Sequence, residues 1–233
     1  MGHPRNIHEP GAIAPLLDGL GEDHCRRVID ACIPRRFRRG QALFYEGDTG
    51  DSLFFLTEGF LVVQVTTPFG EVATVNVLRA PDTVGELALL DRGGRRSASV
   101  LAITSVETLA LDRGTFERLR IDHPVVEHVL VTILSAHVRR LSARLTEALY
   151  VPAETRVLRR LENLAQLFGG GRTAIAVPIT QSDLAAMAGT TRPTVNRALQ
   201  AAQTAGAISL GRSRIDVVEP AVLAQLAVGP TGP

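Results

Sequence analysis

Residues 85–98 read GELALLDRGGRRSA, and the types within them could hold an anion and a neutral hydroxyl side by side. A strand ending at Val84, a turn at Gly85 and a helical turn from Glu86 through Leu87 would aim main-chain N–H groups at one point, where anions settle. Arg96 and Ser97, returning across the turn, would add a guanidinium fork and a hydroxyl to the same anion. Glu86 cannot serve an anion, but it accepts from a hydroxyl such as a ribose 2′-OH. A phosphate and a ribose hydroxyl on one small molecule, enclosed in a barrel, describe a cyclic nucleotide. A Glu86–Arg96 ion pair that merely closes the loop accounts for the same spacing, and residue types alone leave both readings standing.

A second constellation lies in ITQSDLAAMAGTTRPTVNRALQAAQTAGAI, residues 179–208. Thr180 with Asp183 three residues on is a capping-box start, Gly189 ends that helix, Thr190 or Thr191 caps the next, Pro193 sits in its first turn and Gly206 closes it. Helix, short glycine turn, helix is the helix-turn-helix pattern. Thr191, Arg192, Thr194, Asn196 and Arg197 gather near the start of the second helix, while Val195, Ala198 and Leu199 give it an apolar side. Hydroxyls, an amide and two guanidinium groups suit phosphate contact and base-edge reading in a DNA major groove. No acid occurs from residue 184 to 215. ISLGRSRIDVVEP then reads as a hairpin, a wing, with Gly211-Arg212-Ser213-Arg214 at its tip.

These groups need a frame. From about Phe37 to Leu111, short runs of Phe, Leu and Val alternate with Gly47-Asp48, Gly50-Asp51 and Glu58-Gly59, the pattern of a closed or sandwiched antiparallel unit. After Asp122-His123-Pro124 a helical period continues to Leu149, about 40 Å. Leu134, Val138, Leu141, Leu145 and Ala148 form an a/d seam along it, and pairing with the same helix of a second copy is expected. Val157, Leu161, Leu164 and Phe168 mark the apolar face of a further helix, stopped by Gly169-Gly170-Gly171. The expected architecture is α+β: an N-terminal antiparallel β jelly-roll over 15–122, a dimerisation helix over 123–150 and a winged helix-turn-helix over 151–233.

Composition excludes several classes. The 233 residues are 45% hydrophobic with a net charge of +1, an ordinary globular balance. Residues 151–233 carry eight arginines against five acids, and every basic residue in the chain is arginine. No apolar run is long enough for a membrane span and the N-terminus lacks a signal-peptide pattern, so a cytoplasmic protein with no membrane contact is expected. Cys25 and Cys32 are too few for an iron–sulfur cluster. The histidines at 3, 8, 24, 123, 128 and 137 show no local pattern for haem, and no nucleophile–base or metal constellation appears. No metal and no enzymatic activity are expected.

GELALLDRGGRRSA resembles the phosphate-binding cassette of cyclic-nucleotide-binding domains, GQALFYEGDTGDSLFFLTEG is similar to the barrel strands that precede it, and ITQSDLAAMAGTTRPTVNRAL resembles the helix-turn-helix of the CRP/FNR (catabolite activator protein) family. The likeness covers about residues 15–218. It implies that Arg96, Ser97 and the Ala98 N–H hold a cyclic phosphate, that Glu86 binds ribose, and that Gly85 lets the backbone approach. It also implies a homodimer on a two-fold symmetric DNA site, with RNA polymerase as a further partner where transcription is activated. Adenine in the cAMP-responsive member is read by two hydroxyl residues, which fall here at Leu141 and Ser142, and His137 stands where that member has an arginine facing the pocket. The implied effector is therefore cAMP, with cGMP or ligand-independent binding as alternatives. Arg192 and Arg197 occupy the two guanine-reading positions, whereas the cytosine-reading glutamate between them is Pro193. A cyclic-nucleotide-regulated kinase or channel subunit is the reading from another class; it would lack a basic recognition helix.

Overall fold

The computed structural model describes residues 22–90, 94–169 and 174–228, with Ala88 and Leu89 described in backbone only. His3, His8, residues 91–93 of the cassette turn, and Gly170 and Gly171 of the glycine stop lie outside these described residues. Two compact units result, one built on the chain up to Gly70 and from Asn76 to Arg139, the other on Glu71–Val75 and Arg140 onward.

The first unit opens with α1 (Glu22–Asp30) and then runs through β1 (Ile33–Phe37), β2 (Ala42–Phe44), β3 (Ser52–Glu58), β4 (Phe60–Thr66), β5 (Val72–Arg79) and β6 (Thr83–Val84). A single helical turn α2 (Leu87–Leu90), β7 (Ser99–Ala102), β8 (Val106–Asp112), α3 (Arg113–Asp122) and a 3-10 turn at Pro124–Val126 follow, leading into α4 (Glu127–Tyr150). The strands form two four-stranded sheets in the orders β1-β8-β3-β6 and β2-β7-β4-β5. This is the jelly-roll expected from the strand and turn pattern.

Strand β3 shows how alternation divides the core. Leu53 and Phe55 point to one side and pack with Val28 and Ile29 of α1, Phe116 of α3, and Val129, Leu130 and Ile133 of α4. Leu56, on the other side, joins Leu61, Leu78, Val100, Ala102 and Val106. Only the first part of α4 is buried in this way. Val138, Leu141, Leu145 and Leu149 further along it are exposed, so most of the predicted seam faces outward as it would for a second copy.

Helices α1 and α3 are only nine and ten residues long, too short for a helical period to stand out in the sequence, and the reading above does not assign them. Asp112 sets the start of α3: its Oδ1 accepts from the Thr115 N–H at 2.9 Å and its Oδ2 from the Thr115 hydroxyl at 2.7 Å. The Thr115 hydroxyl is the first reason that the Asp112 carboxyl titrates below its ordinary value of 3.8. A carboxyl lowered on folding stabilises at pH values above its unfolded pKa and loses that contribution as pH falls through the folded one. Asp112→Ala should therefore cost about 1 kcal/mol in urea unfolding at pH 7, with the gap between variant and wild type narrowing below pH 3.8. Cys32 is buried and its thiol is pushed up to about 12 by burial first and by Asp112 second. It is an inert packing residue.

In the second unit, α5 (Ala153–Gly169) is followed by β9 (Ile175–Val177), α6 (Gln181–Ala188), α7 (Arg192–Thr204), β10 (Ile208–Gly211), β11 (Arg214–Val217) and α8 (Pro220–Val228). The strands make an antiparallel sheet in the order β10-β11-β9. Thr180 and Asp183 form the complete reciprocal capping box at the start of α6, and Gly189 ends that helix in the left-handed region at φ 58°. Among the described residues, no helix is long and apolar enough to cross a membrane.

Candidate ligand pocket and nucleic-acid interface

Arg96 lies inside the barrel with 7% of its surface exposed. It is placed by a turn that closes on itself: the Arg96 N–H donates to the Asp48 carbonyl at 2.8 Å and the Arg96 carbonyl accepts from the Gly47 N–H at 2.9 Å. Its Nη1 donates to the carbonyls of Ser52 at 2.9 Å and Gly85 at 3.2 Å. The guanidinium carbon sits 4.1 Å from the centroid of the Phe44 ring, a cation–π contact in a desolvated place. A Cβ at Gly50 would come within 2.5 Å of Nε, and one at Gly85, where φ is +88°, within 2.5 Å of Nη1. Both glycines are required for the guanidinium to lie where it does.

The electrostatics of this spot are unbalanced. Burial pulls the Arg96 pKa below its ordinary value, while Asp51, Glu86 and Asp48, in that order, pull it back up. Its Nε–H is buried and has no hydrogen-bond partner among the described residues. Leaving a buried charged donor unsatisfied costs on the order of 1–3 kcal/mol, so an anionic acceptor brought to this place would recover free energy. A phosphate fits that donor.

Glu86, 9% exposed, directs Oε1 to His137 Nδ1 of α4 at 3.1 Å. The structure thus brings together Gly85, Glu86, Arg96 and His137, four of the residues marked by the sequence. Ser97 is exposed and Ala98 half-buried beside them in the chain, and Leu87 is exposed at the start of α2. Leu141 and Ser142 lie exposed about one turn beyond His137 on α4. Phe44, Gly50 and Ser52 were missed by sequence reasoning. For Gly50 and Ser52 the available signal is the dense turn composition of YEGDTGDS, residues 45–52; Phe44 ends the apolar run just before it.

Helix α7 divides as its pattern predicts. Val195, Ala198, Leu199 and Ala202 are buried, Thr194 is half-buried, and Thr191, Arg192, Pro193, Asn196 and Arg197 are exposed on the other side. Of the two expected capping positions, Thr191 is the N-cap, though its side chain makes no cap bond. The Thr191 hydroxyl lies 3.2 Å from the Thr194 hydroxyl instead, and Pro193 in the first turn removes one donor that would need capping. A cleft of about 390 Å³ opens between α6, α7 and the hairpin, lined in part by Thr180, Ser182, Arg192, Ser213 and Arg214. Hydroxyls and guanidinium groups on a concave face suit a phosphodiester backbone.

The arginine excess of residues 151–233 is largely spent inside the unit. Arg156 donates through Nε to Ala188 O and through Nη2 to Gly189 O, both at 3.0 Å, and through Nη1 to Val151 O at 2.8 Å. Arg160 donates to Met187 O at 3.2 Å and pairs with Glu147 at 2.6 Å. Together they satisfy the end carbonyls of α6, which no intrahelical N–H reaches. Arg159 reaches Ala227 O at 3.0 Å at the end of α8. Arg214 pairs with Asp216, and Arg197 donates through Nε to Glu154 Oε1, each at 3.0 Å. Net positive charge in this segment is therefore a poor measure of the charge left at its surface.

Both halves of the chain match known protein families. Residues 34–123 match the family model described as a cyclic nucleotide-binding domain, and residues 155–226 match the Crp-like helix-turn-helix domain. The chain is 32% identical over 221 residues to the cyclic AMP receptor protein of Thermus thermophilus, covering 93% of this chain and 98% of that protein. It is 31% identical over 194 residues to the CRP-like cAMP-activated global transcriptional regulator of Mycobacterium tuberculosis, covering 82% and 81%. Among solved structures, a transcriptional regulator of the CRP/FNR family from Thermus thermophilus superposes with a TM-score of 0.71 at 22% identity, covering 84% of this chain and 99% of that one. That last likeness is one of fold.

Proposed function

Because the chain belongs to the CRP/FNR family of cyclic-nucleotide-binding transcription regulators, we propose that it is a homodimer whose hold on a two-fold symmetric DNA site is set by cAMP bound at Glu86 and Arg96. The Crp-like helix-turn-helix favours a transcription regulator over the kinase or channel subunit of the other reading. The observation that carries the proposal is the buried Arg96 Nε–H, which has no hydrogen-bond partner among the described residues and is seated against two glycines whose missing side chains leave room for it. In the ligand-bound form Arg96 and Ser97, with the Ala98 N–H, hold the cyclic phosphate, and Glu86 takes the ribose hydroxyl. The names of the relatives in Thermus thermophilus and Mycobacterium tuberculosis support cAMP over cGMP.

Ligand capture reaches the DNA through α4. Glu86 touches His137, and the same helix carries the exposed apolar stripe Val138, Leu141, Leu145 and Leu149. A second copy packed on that stripe would set the spacing of two α7 helices, which must stand about 34 Å apart to enter successive major grooves on one face of DNA. The effector contributes its differential affinity for the DNA-competent arrangement. Where the protein activates transcription, RNA polymerase would be a further partner; occlusion of a promoter would need none.

Calorimetry with cAMP and cGMP, paired with fluorescence anisotropy on a duplex selected from a random library, tests this reading. cAMP should bind more tightly than cGMP and should tighten DNA binding by at least about tenfold, within the usual range of coupling between sites. Equal DNA affinity with cAMP, with cGMP and with neither would overturn it.

A further inference from the structure

We infer that Glu154 is a positioning residue for DNA recognition: its carboxylate holds Arg197 by the Nε end, leaving the two Nη groups for a guanine. The inference rests on the reading above, in which Arg197 faces a base edge. It goes beyond that reading by assigning a function to a residue of α5, outside the helix-turn-helix pair.

The contact itself is specific. Arg197 Nε lies 3.0 Å from Glu154 Oε1, across 43 residues of sequence. Both side chains are largely exposed, 65% and 53%, so the pair is of the kind that adds little to folding stability. Its value lies in orientation. An unrestrained arginine samples many rotamers and must give them up on binding, whereas a guanidinium anchored at Nε has its long torsions fixed and its outer edge still available. Guanine offers O6 and N7 as two acceptors side by side, which two donors of one fork engage together. Arg192, the other arginine on this helix, makes no ion pair among the described residues.

Two local features make α5 the support. Position 193, one turn before Arg197 on α7 and the place from which an i,i+4 carboxylate could hold it, is proline. Glu154 itself lies in the first turn of α5, two residues before Arg156, whose bonds to Val151, Ala188 and Gly189 carbonyls fix that turn against α6. The carboxylate is thus presented from a rigid place. It also has a cost, since a negative charge beside a recognition helix repels phosphates and weakens binding to every sequence alike.

That double effect supplies the test. The full-length chain, with cAMP present and absent, is used to select duplexes from a random library. Affinities are then measured for the selected duplex and for its single-base variants, using wild type, Arg197→Ala, Glu154→Ala and Glu154→Gln. Glutamine keeps an oxygen that accepts from Nε but loses the charge, whereas alanine loses both. At the guanine relaxed by Arg197→Ala, Glu154→Ala should lose discrimination by about three- to tenfold, part of the preference a bidentate pair supplies, and Glu154→Gln should retain most of it. Both variants should bind non-specific duplex slightly more tightly. If Arg197→Ala relaxes a position and Glu154→Ala leaves it unchanged, the positioning role is wrong while the base reading stands. If Arg197→Ala relaxes no position, the base reading fails and this inference with it.

Discussion

Arg96→Ala should abolish measurable heat of cAMP binding, with affinity reduced by at least about 100-fold. Hydrogen bonds to charged groups contribute on the order of 1.5–3 kcal/mol each, and a guanidinium offers a phosphate two of them in one fork. The variant also removes the donors to Ser52 and Gly85 carbonyls and the contact with Phe44, so its thermal unfolding must be followed in parallel. Arg96→Lys separates the two effects: it keeps the charge and much of the packing but loses the planar fork. Both variants should lose nucleotide binding, and lysine should lose less fold stability than alanine. Heat of binding that persists in a folded Arg96→Ala protein would remove the pocket from the mechanism altogether.

Leu145→Glu should convert the protein to a monomer and weaken DNA binding by about two to four orders of magnitude. Leu145 is 61% exposed in the single chain, so a glutamate there disturbs no internal packing, and the variant should stay folded with its urea midpoint lowered only by the lost association. In a dimer it would place two like charges in an apolar seam, where unpaired charge is strongly disfavoured. Two half-sites held by one dimer bind with an avidity that exceeds a single half-site by about 10²–10⁴. Sedimentation velocity reads the assembly state and anisotropy reads the DNA affinity. Position 145 is preferred to 141, because Leu141 is itself one of the two proposed base-reading positions and would mix ligand effects with assembly. A dimer that survives Leu145→Glu would mean that the exposed stripe has another purpose.

Much of this architecture was legible in the chain because local chemistry specified it. The turn glycines of the barrel, the Thr180–Asp183 box and Gly189 each act through backbone geometry within a few residues, and the structure places each of these where the reading put it. Short helices α1, α3 and α8 were not legible, since their faces are decided by what they cover. The candidate site shows the same division. Glu86 and Arg96 stood out by type and spacing, but the contact of Glu86 with His137 joins residues far apart in the chain and follows only from α4 returning over the barrel. The uses of Arg156, Arg159 and Arg160 could not be told from those of Arg192 by composition. An i,i+4 pair of arginines on the same helix as a buried apolar face was the available clue, and it points to packing against another element.

The arginines committed to carbonyls at the ends of α6 and α8 have one more consequence. Protein binding to a duplex draws much of its strength from freeing the small cations condensed along the strands, and only side chains that reach the strands can displace them. Arg156, Arg159 and Arg160 are held at the protein's own helix ends, so the fall of DNA affinity with added salt should be shallower than the arginine count of residues 151–233 implies.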